Sequence, residues 1–243
     1  MRPLPNPGPT GMASAARALQ YLERRQEVVA NNLANATTDG FKAERVFARL
    51  MGRATAPTGL PAAATATDLS SGSLRATNEP LDLAIEQDGF LVVATANGER
   101  FTRGGTLHLD AERRLVDANG NPLLGTRGPI AVPRELDGTL TIDAAGVVAV
   151  GGARLDVLRF ERAAPGDLQH EGSSLFIPGT SRAEVPLEAR TIRQGFLEGS
   201  NVNTVGTMVD MIDVQRAHAA VERAVRVLDE IRGTASNQLG KPV

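Results

Sequence analysis

A chain of 243 residues with 42% hydrophobic content has enough apolar material for one large or two small packed domains, which excludes a disordered protein. With no Trp, one Tyr and seven Phe, its core is aliphatic, and it lacks the aromatic platform on which single-stranded nucleic acid stacks. The formal net charge is −2, and residues 12–52 carry six basic and four acidic side chains against five and six in residues 196–243, so no stripe suited to DNA or to a membrane surface emerges.

Residues 1–11 read as a Pro-rich N-terminal tail: Pro3, Pro5, Pro7 and Pro9 alternate and favour an extended, unpacked chain. No basic region followed by an apolar stretch opens it, so no cleaved secretory signal is expected. Residues 12–52 read as a helix and a turn. Met12, Ala15, Leu19, Leu22, Gln26, Val29 and Leu33 alternate spacings of three and four, the seam of a coiled coil broken only by Gln26. No Gly or Pro interrupts residues 12–34, so a helix of about 23 residues and roughly 35 Å is predicted, too polar to cross a membrane. Asn31, Asn32, Asn35, Thr37, Thr38, Asp39 and Gly40 then supply the left-handed and side-chain-bonded conformations that close a helix, and Phe41 and Phe47 re-anchor the chain.

Residues 53–80 read as a linker or extended segment, small and Pro/Gly-punctuated at first. Residues 81–193 read as an antiparallel β domain. Leu81–Ile85 alternates, Phe90–Ala94 is a buried-strand run, and Asn97-Gly98 is the strongest hairpin signal. Further strands are predicted at 101–103, 106–110, 114–117, 123–124, 129–133, 140–143, 147–150, 155–160 and 174–178. Turns at Asn119-Gly120, Asp137-Gly138 and Gly151-Gly152 separate some of them. Crossover helices are missing, so successive antiparallel hairpins are expected rather than a parallel sheet. Residues 194–243 close the chain with a second helix. Met211, Val214, His218, Val221, Val225 and Leu228 repeat the three-four spacing, with Asn203 or Thr204 as N-cap. The fold class is therefore mainly β with terminal α-helices, the β domain lying between helices that pair as a coiled coil. Each seam needs a covering partner, first the other terminus and then a second copy of the chain.

Three groups of residues resemble the bacterial flagellar rod and hook family, the axial proteins assembled end on end from basal body to hook. They are Asn31-Asn32-Leu33-Ala34-Asn35-Ala36-Thr37-Thr38-Asp39-Gly40-Phe41-Lys42; Leu81 through Phe90 with Phe101-Thr102-Arg103-Gly104-Gly105; and Gln194 through Asn203 with Met208 to Ile212 and Gln215-Arg216-Ala217. The resemblance implies a structural rod subunit whose terminal helices pair in the innermost layer of a tube and transmit torque. Its partners would be copies of itself, other rod and hook axial proteins, and the flagellar type III export apparatus, with neither nucleic acid nor membrane insertion. It also implies no cofactor and a place in the periplasm-spanning rod, reached without a cleaved signal. The single modest β domain resembles the rod proteins more than the longer hook protein, and within them the proximal type. On this reading the assembly interface comprises Leu19, Leu22, Gln26, Val29, Asn32, Leu33, Asn35, Gly40, Phe41, Asn201, Asn203, Met208, Met211, Val214, His218, Val221, Val225 and Leu228.

Catalytic and metal chemistry finds little support. Cysteine is absent, which removes disulfides, thiolate metal sites and cysteine nucleophiles. His108, His170 and His218 lie far apart without metal-ligand spacing, and Ser173 and Ser174 read as loop residues lacking a nucleophile elbow. The carboxylate pairs Asp82 with Glu86 and Asp137 with Asp143 leave a self-contained β-domain hydrolase or adhesin as the alternative, alongside a distal rod or hook-type subunit. Of 26 basic residues only Lys42 and Lys241 are lysines, which we read as genomic composition.

Overall fold

A computed structural model describes residues 11–50, 61–172 and 174–239; the Pro-rich residues 1–9 and the first part of the expected linker lie outside it. The chain forms two compact units, one from residues before 34, between 44 and 66 and after 203, the other from residues 34–43 and 67–203.

The first unit holds the two long helices. Helix α1 spans Gly11–Ala34 and helix α2 spans Thr204–Leu239, directly after Asn203. Both arise where the three-four apolar spacing runs on through good helix formers. Strands Glu44–Leu50 and Pro61–Thr67 pair in a two-stranded sheet within the segment following α1. The second of these falls in the stretch read as a linker; its small residues include the β-branched Thr65 and Thr67, and it is extended and hydrogen-bonded rather than loose.

The second unit is β apart from two single-turn 3-10 helices, Pro165–Asp167 and Leu187–Ala189, and its described pairings are antiparallel. Its largest sheet runs Leu168–Gly172, Leu175–Pro178, Gly98–Thr102, Phe90–Thr95, Phe160–Ala163 and Arg182–Glu184 across six strands. Strand Phe90–Thr95 is central and buried on both faces, which explains its unbroken apolar run. Leu91 and Val93 enter one core cluster with Leu83, Ile85, Leu115, Leu123 and Leu158. Phe90 and Val92 enter the other, where Phe90 stacks on Phe101 at 5.5 Å and tilts against Phe176 at 5.4 Å.

Three expectations are revised. The hairpin at Asn97-Gly98 pairs Thr95 with Gly98, so its loop is Ala96-Asn97, and Gly98 begins the returning strand with φ +102°. The run 155–160 is two strands in different sheets, Ala153–Val157 and Phe160–Ala163, because the Leu158 and Arg159 amides turn away to Gly146 and Leu124 carbonyls. Successive hairpins describe only part of the topology. The late strands Ile192–Gln194 and Phe196–Glu198 return to pair with the early strands Leu83–Ile85 and Leu74–Ala76. Both ends of the β unit are thereby joined.

Candidate functional site

Two groups of residues stand out, one on the helices and one inside the β unit. On α1, Leu22, Val29 and Asn32 are buried, and Leu19, Gln26 and Leu33 are half-buried. On α2, Val214 is wholly buried, Met211, His218, Val221 and Val225 are half-buried, and Leu228 is exposed. The half-buried His218 has Glu222 one turn further on, Nδ1 to Oε1 3.7 Å. Arg25 of α1 reaches Asp210 of α2 at 3.4 Å, an exposed ion pair that contributes little stability.

α2 also carries a second apolar face outside that stripe, of which only Met208 was among the expected interface residues. Val205, Met208, Val209 and Ile212 follow the i, i+3, i+4, i+7 spacing and are exposed, at 74%, 49%, 53% and 48% respectively. Four large apolar side chains together on one solvent-facing helical surface are uncommon for a surface with no further contact to make.

Asn32, Asn35, Gly40, Phe41 and Asn201 serve the chain's own junctions, while Asn203 is exposed directly before α2. Asn32 Nδ2 donates to the Glu44 carbonyl at 2.8 Å while its Oδ1 accepts from the Glu44 amide at 2.9 Å. In the turn after α1, the Thr38 amide donates to the Asn35 carbonyl at 3.1 Å and the Phe41 amide to the Thr38 carbonyl at 3.2 Å. Phe41 is fully buried and meets His170 edge-on at 5.4 Å. Gly40 has φ +71°, and its amide donates to the Glu198 carbonyl at 2.7 Å. A Cβ there would stand 2.4 Å from the Arg103 carbonyl carbon, so close approach as well as dihedral requires glycine. Asn201 accepts from the Ala43 amide at 2.7 Å and donates to the carbonyls of Asp68 at 2.8 Å and Ser70 at 3.0 Å.

These residues surround a buried ionic junction of Lys42, Arg103 and Glu198, whose side chains are 0%, 1% and 1% exposed. Lys42 Nζ donates to Glu198 Oε1 and to the Ser70 carbonyl, both at 2.7 Å, and the Gly72 amide donates to the same Oε1 at 2.9 Å. Arg103 Nη1 donates to Glu198 Oε2 at 3.1 Å and to the Ile85 carbonyl at 3.2 Å. Its Nη2 donates to the Gln87 carbonyl at 2.9 Å, and the guanidinium lies 5.7 Å from the Phe90 ring centroid. Burial pushes the Lys42 ammonium below its usual range, against the pull of Glu198; burial lowers Arg103 likewise, against Glu198 and Asp88.

Each member comes from a different sequence motif, so the three motifs meet at this junction. All three lie within the motifs noted in the sequence, where none of them has an evident role. The available signal was Lys42 itself, one of two lysines among 26 basic residues. A compact ammonium fits a closed pocket where a planar guanidinium needs a fork of acceptors.

One carboxylate of each pair considered for hydrolysis is otherwise engaged. Glu86 pairs with Arg193 at 2.8 Å, and Asp143 Oδ1 accepts from the Ala145 and Val147 amides at 3.0 and 2.9 Å to shape a turn. Among the described residues no group of His, Cys, Asp and Glu could hold a metal ion. No helix among them is long and apolar enough to cross a membrane.

Comparison with known proteins accords with this layout. Residues 12–42 match the family model of the flagella basal body rod protein, residues 84–150 that of the flagellar hook protein FlgE/F/G D1 domain, and residues 193–239 that of the flagellar basal body rod FlgEFG protein C-terminal region. The chain is 34% identical to the flagellar basal-body rod protein FlgF of Escherichia coli, over 95% of this chain and 96% of the relative. It is 33% identical to FlgF of Caulobacter vibrioides, over 90% and 94%. It is 31% identical to the rod protein FlgG of Borreliella burgdorferi, over 93% and 96%.

Proposed function

We propose that this chain, which belongs to the flagellar basal-body rod proteins, serves as a structural subunit of the rod and polymerises through its terminal helices. It is a structural protein and not an enzyme, of the proximal rod type. Its place is the flagellar basal body.

The observation that carries the assembly reading is the second apolar face of α2. Val205, Met208, Val209 and Ile212 are exposed on a helix whose Val214 is already buried. Covering these side chains removes apolar surface from water, worth about 25 cal/mol for each Å² buried. In this reading the half-buried stripes of α1 and α2 pair as a coiled coil, and the exposed face meets neighbouring axial subunits, both copies of the chain and other rod or hook proteins. Interlocked helices then share torque. Gln26 and His218, the polar members of the stripes, set register, as buried polar residues do in coiled coils. The periplasm-spanning position and delivery by the flagellar type III apparatus belong to the same proposal.

The test is complementation of a strain lacking its own copy. Met208→Asp combined with Ile212→Asp is expected to leave the purified chain folded, because both sites are exposed, and to abolish motility because a carboxylate is forced into the subunit contact. Normal motility with that double variant would contradict the assembly reading.

A further inference from the structure

We propose that Lys42, Arg103 and Glu198 form a clasp that holds three segments, residues 40–43, 68–72 and 198–201, so that they open together while the six-stranded sheet stays closed. The inference stands on the junction's geometry and does not depend on the rod reading.

The first ground is connectivity. Glu198 Oε1 binds Lys42 and the Gly72 amide, its carbonyl binds the Gly40 amide, and its Oε2 binds Arg103. Around that centre the Asp68 amide donates to the Ala43 carbonyl at 2.7 Å, and the Gly199 amide donates to the Ser73 carbonyl at 2.8 Å. Asn201 ties Ala43, Asp68 and Ser70. Each segment is therefore bonded to the other two, and loss of the Glu198 carboxylate removes partners from Lys42, Gly72 and Arg103 at once.

The second ground is electrostatic. Two buried cations share one contacting carboxylate, with Asp68 acting on Lys42 and Asp88 on Arg103 as further negative charges. Among the described residues, buried Arg103 Nε makes no hydrogen bond. A buried charge cluster satisfied in this uneven way is weaker than the apolar packing beside it. The sheet, by contrast, is held by Phe90, Val92, Phe101 and Phe176 in a continuous aromatic and aliphatic cluster. Opening therefore starts at the clasp. Because Lys42 follows α1 and Glu198 precedes α2 in the chain, one event releases the segments beside both helices.

Native-state amide hydrogen exchange of the full chain at increasing low denaturant tests this. The amides of Gly40, Asp68, Gly72 and Gly199 are expected to converge on one opening isotherm that lies below that of Leu91 and Thr102 in the sheet. In Glu198→Gln their exchange is expected to accelerate together by at least about 100-fold, with the sheet amides unchanged. Separate isotherms in the unmodified chain, or a single isotherm shared with Leu91 and Thr102, would overturn the proposal whether or not the variant folds. So would acceleration in the variant confined to Gly72 and Gly199.

Discussion

The side chain of Asn32 and the backbone of Glu44 exchange two hydrogen bonds, 2.8 Å from Nδ2 to the carbonyl oxygen and 2.9 Å from the amide to Oδ1. An asparagine at the end of α1 thus imitates a neighbouring strand and fixes where the following strand begins. Asn32→Ala removes both bonds and leaves a backbone donor and acceptor without partners, at a cost of about 1–3 kcal/mol. Asn32→Asp keeps only the acceptor and should fall between the two. Thermal unfolding of the three proteins, with the exchange rate of the Glu44 amide, checks the order.

Gly40→Ala should be more damaging than a usual glycine replacement. The added methyl meets the Arg103 backbone at 2.4 Å, and φ of +71° is unfavourable for alanine. A loss above about 1 kcal/mol is expected from the dihedral alone, with the clash added. Urea unfolding measures it, and Gly120→Ala is a useful comparison, since Gly120 has φ +81° but open space around its Cβ position.

Acid should weaken the β unit through Glu99. The hydrogen bond from Arg159, followed by that from Arg182, holds its carboxyl at about 2 instead of 4.5. Because the folded-state value is the lower one, this carboxylate's stabilisation is complete above the unfolded value and disappears as pH falls from about 4.5 to about 2. In Arg159→Met the stability difference between about pH 6 and about pH 3 should shrink relative to the unmodified chain, as read from urea unfolding at each pH.

The sequence made the helices legible because periodicity repeats over many turns: α1 was expected over 12–34 and spans Gly11–Ala34. The central strand was legible for a related reason, since Phe90–Ala94 is apolar at every position and needs two covering faces. The returns of Ile192–Gln194 to Leu83–Ile85 and of Phe196–Glu198 to Leu74–Ala76 were not legible, because short strands pair across the chain by register that no local pattern encodes. Gly105 shows the same limit. The sequence marks it only as part of a motif, yet its Cβ position lies 1.6 Å from the Leu83 carbonyl oxygen, so it is there to let the segment between two strands approach the strand Leu83–Ile85. Of the proposed interface, the stripe residues could be read from spacing. Val205, Val209 and Ile212 form with Met208 a second helically spaced stripe, but spacing does not tell which of two stripes the fold covers, and only their exposure in three dimensions marks this one as uncovered.

The central claim, that the second face of α2 is covered in the assembled rod, is open to a direct chemical measurement. The chain contains no cysteine, so Ile212→Cys supplies its single thiol. Maleimide labelling of that thiol should be compared between the purified chain and isolated basal bodies. Rapid labelling of the free chain and strong protection in basal bodies are expected, with Ala153→Cys, on an exposed strand position of the β unit, as a second site for reference. Equal labelling of Ile212→Cys in both states would contradict it.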